Sequence, residues 1–270
     1  MIKLITDSGT NFPKEYLESH PEIEVLQLPT MLDGEDISNM GIEEFYRVGF
    51  SSDRLPKTSQ ISPQKYVECF SKYKDYDAIL YISLASGLSG TYNSACLARN
   101  ILSEEENIPD IYIFDSETAC VKQSVLVDLA YEMIMAGKSI KDILKELEEA
   151  LDKIVFYAVI ENLDFLCKGG RLSKTSATAA GVLGVRPIIT VADGKVKVLQ
   201  KIRGSKKTIG FLTENIHTEA KNMFVICGAE SKDFDSFKKA LTVPYVEEKI
   251  QKTIGTYTGP NCYGYAYIQK

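Results

Sequence analysis

The chain has 270 residues, a formal net charge of −6 and 44% hydrophobic residues. This length is sufficient for two ordinary domains, and the apolar content supplies a core. The acidic balance argues against nucleic-acid binding, which needs a dense basic face. The most basic stretch, 201–207, is interpreted as a solvated strand end, with a docking patch for an acidic partner as the alternative.

The N-terminus runs directly into a strand pattern, and no apolar segment reaches the roughly 18 residues that span a bilayer. We therefore expect a cytoplasmic protein with no stable membrane insertion. The six cysteines stand singly, without a C-x-x-C pair, and the only histidines are His20 and His217. This pattern predicts reduced thiols, no metal site and no disulfide framework.

The first half of the chain alternates between strand and helix patterns. Strands are predicted at 2–5, 23–28, 78–84 and 111–114, and helices at 13–19, 42–49, 63–73, 92–102, 121–137 and 140–151. Ser62 before Pro63 is typical of a helix start, and so is Ser139 with Asp142 three residues later. The alternation predicts an α/β domain over residues 1–154, with three layers and a mostly parallel sheet.

The pattern changes near residue 155. Strands are predicted at 156–160, 187–191, 195–199, 223–227 and 265–268, with a helical turn at 163–168 and helices near 177–184, 205–220 and 233–241. The Ala-Asp-Gly turn between the second and third of these strands indicates a hairpin. These elements predict an α+β domain over residues 155–270. The small-residue helix at 177–184 either lines a ligand channel or packs closely against its neighbours.

A loop of serines, glycines and a threonine, Ser86–Thr91, separates the apolar strand at 78–84 from the next helix. Gly87 and Gly90 allow backbone N–H groups to approach a ligand, and the helix begins with a partial positive charge. The loop is therefore predicted to bind a carboxylate or a phosphate. It lacks the Lys of a P-loop and the G-x-S-x-G spacing of a hydrolase. The alternative is a plain helix N-cap loop.

Two aspartates, Asp7 and Asp115, also end predicted strands. Ligands of parallel α/β folds bind at the carboxyl ends of the strands, where both aspartates emerge. No further metal ligands surround them in the sequence, so we expect them to form turn hydrogen bonds rather than a metal site.

The chain resembles the DegV family of bacterial fatty-acid-binding proteins, also called the fatty-acid-binding subunit of fatty acid kinase. The resemblance covers essentially the whole chain and rests on ordered motifs: Thr6-Asp7-Ser8, Lys57-Thr58-Ser59-Gln60, Leu88-Ser89-Gly90-Thr91-Tyr92, Leu163 through Gly169-Gly170-Arg171-Leu172-Ser173, and Arg186-Pro187-Ile188. It implies a two-domain protein that encloses one long-chain fatty acid between its domains and presents it to a separate ATP-dependent kinase. The acyl phosphate then enters phospholipid synthesis. A monomeric lipid-binding protein with no cofactor and no catalytic residue is expected.

The resemblance also implies residue roles. Thr58 and Ser89 would hydrogen-bond the carboxylate, with the backbone at Gly90 and Thr91 beside them, and Arg171 would lie near the head-group opening. The family usually reads Gly-x-His-x-Gly-Pro-Gly near its C-terminus, whereas this chain has Tyr257 in place of the histidine and asparagine in place of the last glycine. A tyrosine still donates one hydrogen bond but carries no positive charge near neutral pH. We therefore expect the tyrosine in place of the histidine to affect coupling to the kinase more than lipid binding.

Two alternatives remain open from the residues. Ser89 would be a nucleophile in a serine hydrolase or an acyltransferase, although the sequence shows no general base for it. The corner at Gly169-Gly170-Arg171 would be a glycine C-cap followed by an exposed arginine.

Overall fold

A computed structural model describes residues 1–50, 54–177, 184–217 and 219–269. The predicted small-residue helix at 177–184 therefore lies mostly outside the described residues. In the first half, the elements are β1 (Ile2–Asp7), α1 (Lys14–Ser19), β2 (Ile23–Leu26), β3 (Thr30–Leu32), β4 (Glu35–Asp36), α2 (Ile42–Val48), β5 (Lys57–Thr58), α3 (Pro63–Phe70) with a 3₁₀ turn (Ser71–Tyr73), β6 (Ala78–Ser83), α4 (Thr91–Leu102), β7 (Asp110–Asp115), α5 (Val121–Met135) and α6 (Ile140–Leu151).

The second half contains β8 (Ile154–Ile160), α7 (Asp164–Lys168), α8 (Lys174–Ala177), β9 (Val185–Ala192), β10 (Lys195–Arg203), α9 (Ser205–Glu214), β11 (Lys221–Cys227), α10 (Phe234–Ala240), β12 (Val246–Lys249), α11 (Lys252–Thr258) and β13 (Cys262–Ile268). The predicted helix starts at Ser62 and Ser139 are confirmed. Each serine hydroxyl accepts a backbone N–H three residues later, from Lys65 and Asp142.

The first half of the chain forms a four-stranded parallel sheet. Its strand order is β2-β1-β6-β7, and every neighbouring pair is parallel. All six residues of β6 are buried, which explains their apolar run, because a central parallel strand is covered on both faces. The carboxyl ends of β1, β6 and β7 meet at one edge, where Asp7, Leu84 and Asp115 lie.

A separate six-stranded sheet carries the second half, in the order β10-β9-β8-β13-β11-β12. Its neighbouring strands are antiparallel except for the parallel pair β11 and β12. Gly264 on β13 pairs with Ala158 on β8, and a Cβ built at Gly264 would lie 2.3 Å from the Tyr157 carbonyl oxygen. The α/β fold with a parallel sheet and a distinct α+β part is thus confirmed.

Helix α5 lies between the two sheets. It contacts β1 and β6 of the parallel sheet and β8, β11 and β13 of the mixed sheet. One hydrophobic core runs from Leu4 and Ile5 of β1 through α5 to Phe156 and Ile160 of β8. The boundary between the predicted domains 1–154 and 155–270 falls after the first residue of β8, so all of the mixed sheet except Ile154 lies in the second domain. This boundary stays a prediction, because the core is continuous across it.

Several elements differ from the sequence predictions. The short strands β3, β4 and β5 form a small antiparallel sheet, and two or three residues are too few to show alternation. Helix α11 has a threonine-rich sequence of low helix propensity. Its Gly255 lies against α2, where an added Cβ would be 2.6 Å from the Tyr46 hydroxyl. Packing therefore stabilises α11. Strand β12 was not predicted. Strands β8 and β13 begin earlier than predicted, and helix α9 ends earlier, at Glu214.

Candidate functional site

A largely apolar cavity lies where the carboxyl edge of the parallel sheet meets the mixed sheet and α11. It has about 730 Å³ of empty space, including the space open to solvent at its mouth. The residues that line it are Leu28, Thr58, Leu84, Leu88, Ser89, Ala119, Cys120, Phe156, Ala158, Ile160, Leu166, Arg171, Ile189, Val191, Val196, Ile226, Ile250, Thr253, Ile254, Tyr257, Thr258 and Cys262. Both halves of the chain thus contribute walls to one apolar space.

Three of the predicted site residues, Thr58, Arg171 and Tyr257, are in contact at one end of the cavity. The Thr58 and Tyr257 hydroxyl oxygens lie 2.7 Å apart, and the Arg171 guanidinium lies 4.7 Å from the centre of the Tyr257 ring. Arg171 also donates from Nε to the Leu88 carbonyl at 3.0 Å and from Nη1 to the Gly169 carbonyl at 2.7 Å. β5, the corner after α7, and α11 therefore meet here although they are far apart in the chain.

Packing against Tyr257 and the backbone conformation explain the two glycines in the corner Gly169-Gly170-Arg171. Gly169 lies against Tyr257, because an added Cβ would be 2.5 Å from Cδ1 of the ring, and Gly170 has a φ of +75°. Both glycines thus allow Arg171 to turn back over the tyrosine. The glycine C-cap and the arginine at the cavity are two aspects of the same corner.

Ser89 also lines the cavity, whereas its neighbours Gly90 and Thr91 do not. The Ser89 and Thr91 hydroxyl oxygens are 2.8 Å apart, and the Thr91 side chain is fully buried. A Cβ built at Gly90 would lie 1.8 Å from Oε1 of Gln60. The structure therefore places Thr91 behind Ser89 and gives Gly90 the role of admitting Gln60, which donates to the Ser94 hydroxyl at 2.9 Å.

An outer pocket adjoins the polar end of the cavity. It shares Thr58, Arg171 and Tyr257 with the cavity and is also lined by Leu55, Pro56, Lys57, Phe165, Lys168, Gly169 and Thr256. Three cations and no acidic residue line this pocket in the described part of the chain. The polar end of the cavity therefore opens toward a basic surface.

The predicted hydrogen-bonding roles of Asp7 and Asp115 are confirmed. Asp7 is fully buried and accepts the Gly9 N–H at 2.8 Å, and Asp115 accepts the Glu117 N–H at 3.0 Å. Burial raises the pKa of Asp7, while hydrogen bonds from Tyr81, Leu84, Gly9 and Gln123 oppose that rise. Within the described ranges, no group of three or more His, Cys, Asp or Glu side chains forms a metal cluster.

Neither His20 nor His217 is placed to act as a general base for Ser89. Among the described residues, the cavity lining contains no histidine. The His20 ring stacks on Tyr16 with a centroid distance of 4.0 Å, and His217 contacts Gln269 and Tyr267. The thiol of Cys120 faces the same cavity, and burial raises its pKa to about 12, so this thiol is protonated at neutral pH. The cavity therefore offers hydroxyl donors rather than an activated nucleophile.

The sequence analysis named Tyr257 but did not predict helix α11, on which Tyr257 lies, or the other α11 residues that line the cavity. Thr253, Ile254, Tyr257 and Thr258 lie on one face of α11 along the cavity. The i, i+4 spacing of Thr253 and Tyr257 was the available signal, but the low helix propensity of the segment concealed it. None of the helices formed by the described residues is long and apolar enough to cross a membrane.

Comparisons with known proteins give consistent results. A family model described as "Uncharacterised protein, DegV family" matches residues 1–270. The "Fatty acid-binding protein" of Thermotoga maritima is 31% identical over 98% of this chain and 96% of that protein. The crystal structure of DegV from Bacillus subtilis, described as a fatty acid binding protein, is 29% identical with a TM-score of 0.81 and covers 100% of this chain and 99% of that one. A stearic acid-binding protein of Eubacterium ventriosum is 26% identical with a TM-score of 0.85, over 100% and 99% of the two chains.

Proposed function

The chain belongs to the DegV family, and on this basis we propose that it binds one long-chain fatty acid and presents it to an ATP-dependent fatty acid kinase subunit. The carboxylate lies at Thr58, Ser89 and Tyr257, and the acyl tail fills the apolar cavity. The kinase forms an acyl phosphate, which enters phospholipid synthesis. The chain itself acts as a monomeric, cytoplasmic lipid carrier without a catalytic residue.

The observation that supports this proposal is the lining of the cavity, where apolar side chains predominate and Thr58, Ser89 and Tyr257 are among the few hydroxyls. Each buried CH₂ contributes about 0.8 kcal/mol, so a 16-carbon tail contributes on the order of 10 kcal/mol before the entropic cost of binding. Few polar contacts are then needed for affinity. The names of the relatives in Thermotoga maritima and Bacillus subtilis agree with such a ligand.

The two hydroxyl pairs suit a carboxylate. When two hydroxyls are hydrogen-bonded to each other, one proton is used between them and the other remains available to a third group. The pairs Thr58 with Tyr257 and Ser89 with Thr91 can thus each donate one O–H to a carboxylate oxygen. These neutral donors hold the carboxylate without a direct ion pair, which keeps its oxygens available for phosphoryl transfer.

The outer pocket supports presentation to a partner. Lys57, Lys168 and Arg171 line the outer pocket together with Thr58 and Tyr257. A kinase that reaches the carboxylate from this side brings a negatively charged phosphoryl group, and cations beside its path stabilise that charge.

Native mass spectrometry of protein purified from a bacterial host tests lipid binding. We expect one fatty acid per chain, and a delipidated sample should take up oleate or palmitate to the same ratio. A sample occupied by a nucleotide or sugar, or an empty sample that takes up neither fatty acid, contradicts the proposal.

The kinase step needs its own test. Delipidated protein loaded with palmitate is incubated with a fatty acid kinase subunit and ATP, and the acyl phosphate is trapped as its hydroxamate. Hydroxamate formation that requires both proteins supports presentation, whereas lipid binding without any acyl phosphate limits the function to binding.

A further inference from the structure

We propose that Asp7 and Asp115 are positioning residues that hold the loop of residues 84–90, here called the Ser89 loop, in the geometry that recognises a carboxylate. The inference rests on the proposed function, because it concerns how the same site is held. Neither aspartate lines the cavity, so both act through the loop rather than by touching the ligand.

The two aspartates lie on opposite sides of the loop. β6 delivers the loop and is flanked by β1 on one side and β7 on the other. Asp7 ends β1 and Asp115 ends β7, so their side chains reach the loop from two directions.

Asp7 fixes the first residue of the loop. Its Oδ2 accepts the Leu84 N–H at 2.9 Å and the Tyr81 hydroxyl at 2.5 Å. Its Oδ1 accepts the Gly9 N–H at 2.8 Å and lies 3.4 Å from Nε2 of Gln123. Both side-chain oxygens thus act as acceptors in a fully buried position, where a hydrogen bond is electrostatically stronger than in water.

Asp115 fixes the third residue of the loop. Its Oδ1 accepts the Ser86 N–H at 3.1 Å and the Glu117 N–H at 3.0 Å. Between these two anchors, the Ala85 N–H donates to the Thr118 carbonyl at 2.9 Å. Three successive N–H groups of the loop are therefore held by neighbouring segments.

The position of Ser89 follows from these anchors. The N–H groups of Leu88 and Ser89 both donate to the Ala85 carbonyl, at 2.9 and 3.1 Å. Ala85 is the residue between the two anchored positions, so a shift at Leu84 or Ser86 moves the Ser89 hydroxyl relative to Thr58 and Tyr257. A carboxylate must contact both hydroxyl pairs at once, whereas an acyl tail contacts a wide wall. Loss of an anchor should therefore weaken the binding of a carboxylate and spare the binding of the tail.

Asp115 gives the cleaner test, because only one of its oxygens holds the loop. Asp115→Ala removes the acceptor, and Asp115→Asn retains an oxygen that can accept both N–H groups. Asp110→Ala, at the other end of β7 and exposed, is the matched control. Affinities of each variant are measured for palmitate and for hexadecanol, which has the same tail without a carboxylate.

We expect Asp115→Ala to weaken palmitate binding about five- to tenfold and leave hexadecanol binding unchanged, with Asp115→Asn close to wild type. Asp7→Asn places an amide N–H₂ among N–H donors and should weaken palmitate binding about tenfold or more, again without an effect on hexadecanol. If Asp7→Asn does not fold, the Asp115 pair decides the question alone.

An equal loss for both ligands in Asp115→Ala would show a general structural role and overturn the inference, and so would wild-type affinity for both. If wild-type protein fails to bind palmitate at all, the proposed function is wrong. If wild-type protein binds palmitate and Asp115→Ala changes nothing, only the positioning role is wrong.

Discussion

The two ends of the cavity are built in different ways. At the polar end, Thr58, Ser89, Arg171 and Tyr257 come one each from β5, the Ser89 loop, the corner after α7, and α11. Along the apolar body, strands contribute alternate residues, such as Phe156, Ala158 and Ile160 of β8. The positions of the lining residues are determined by regular strands along the body, and by contacts between distant segments at the polar end. Under the proposed function, the body would therefore provide most of the affinity for a fatty acid, and the polar end would recognise its carboxylate.

Filling the body tests its share of the affinity and should have the largest effect. Ala158→Phe places a ring in the cavity, because Ala158 lines it. Displacing about four CH₂ groups of the tail removes about 3 kcal/mol, or about 150-fold in the dissociation constant for palmitate. Isothermal titration or competition with a fluorescent fatty acid measures this loss.

Tyr157→Phe is the matched control for the body. The Tyr157 ring contacts Phe211 and Tyr265 on the other face of β8. Its variant should bind palmitate like the wild type. Unchanged affinity in Ala158→Phe would mean that the tail does not run along β8.

Removing one hydroxyl at the polar end should have a smaller effect. Ser89→Ala removes a donor and leaves Thr91 buried without its 2.8 Å partner. We expect a loss of about 1–3 kcal/mol for palmitate and little change for hexadecanol. Ser103→Ala, at the end of α4, is the control, because its hydroxyl donates to the Asn100 carbonyl away from the cavity.

The same variant separates a lipid carrier from a hydrolase. If Ser89 were a nucleophile, Ser89→Ala would abolish turnover of an ester substrate, and an active-site phosphonate would label Ser89 covalently. We expect no turnover in the wild type and no label.

Tyr257 tests whether the polar end serves recognition or phosphoryl transfer. Tyr257→His places a group that can become cationic beside the carboxylate, where charge stabilises the transferring phosphoryl group. Affinity for palmitate should stay within about twofold, because the tail dominates binding. Acyl phosphate formation with a kinase subunit should rise several-fold. Equal rates for the two proteins would mean that the tyrosine hydroxyl serves as well as a histidine.

The sequence predicted the regular helices and strands of the fold better than the segments that depend on tertiary contacts. Buried strands such as β6 and capped helices such as α6 carry local signals, namely an apolar run and a serine that accepts an N–H three residues later. Tertiary contacts decide the rest. Helix α11 forms because Gly255 packs on α2, and no local pattern shows this contact.

The candidate site was predicted in part, and for different reasons at each residue. The motif resemblance named Thr58, Ser89, Arg171 and Tyr257, all of which line the same cavity. Gly90 was expected to let a ligand approach its backbone, and this stays a prediction. The structure adds that Gly90 lies against Gln60, where an added Cβ would be 1.8 Å from Oε1. Which residues line the apolar body depends on how two sheets pack around α5, and sequence spacing does not contain that information.

Substitution of Glu248, a titratable residue outside the cavity, should change the stability of the protein without changing palmitate binding. Burial raises the pKa of Glu248, on β12, to about 7, although Gln251 donates a hydrogen bond to it. Because the folded pKa lies above the ordinary value, the folded state favours the protonated form, and the associated stability is lost as the pH rises through about 7. Glu248→Gln should therefore stabilise the protein above pH 7, by on the order of 1 kcal/mol after allowance for solvent screening, with a smaller difference near pH 5. Thermal unfolding at both pH values measures this difference in stability.

The control Glu247→Gln removes an ion pair with Lys238 at 3.0 Å and should give no gain in stability at high pH. Palmitate affinity should be unchanged in both variants, and a change in Glu248→Gln would show that β12 is coupled to the cavity through the start of α11.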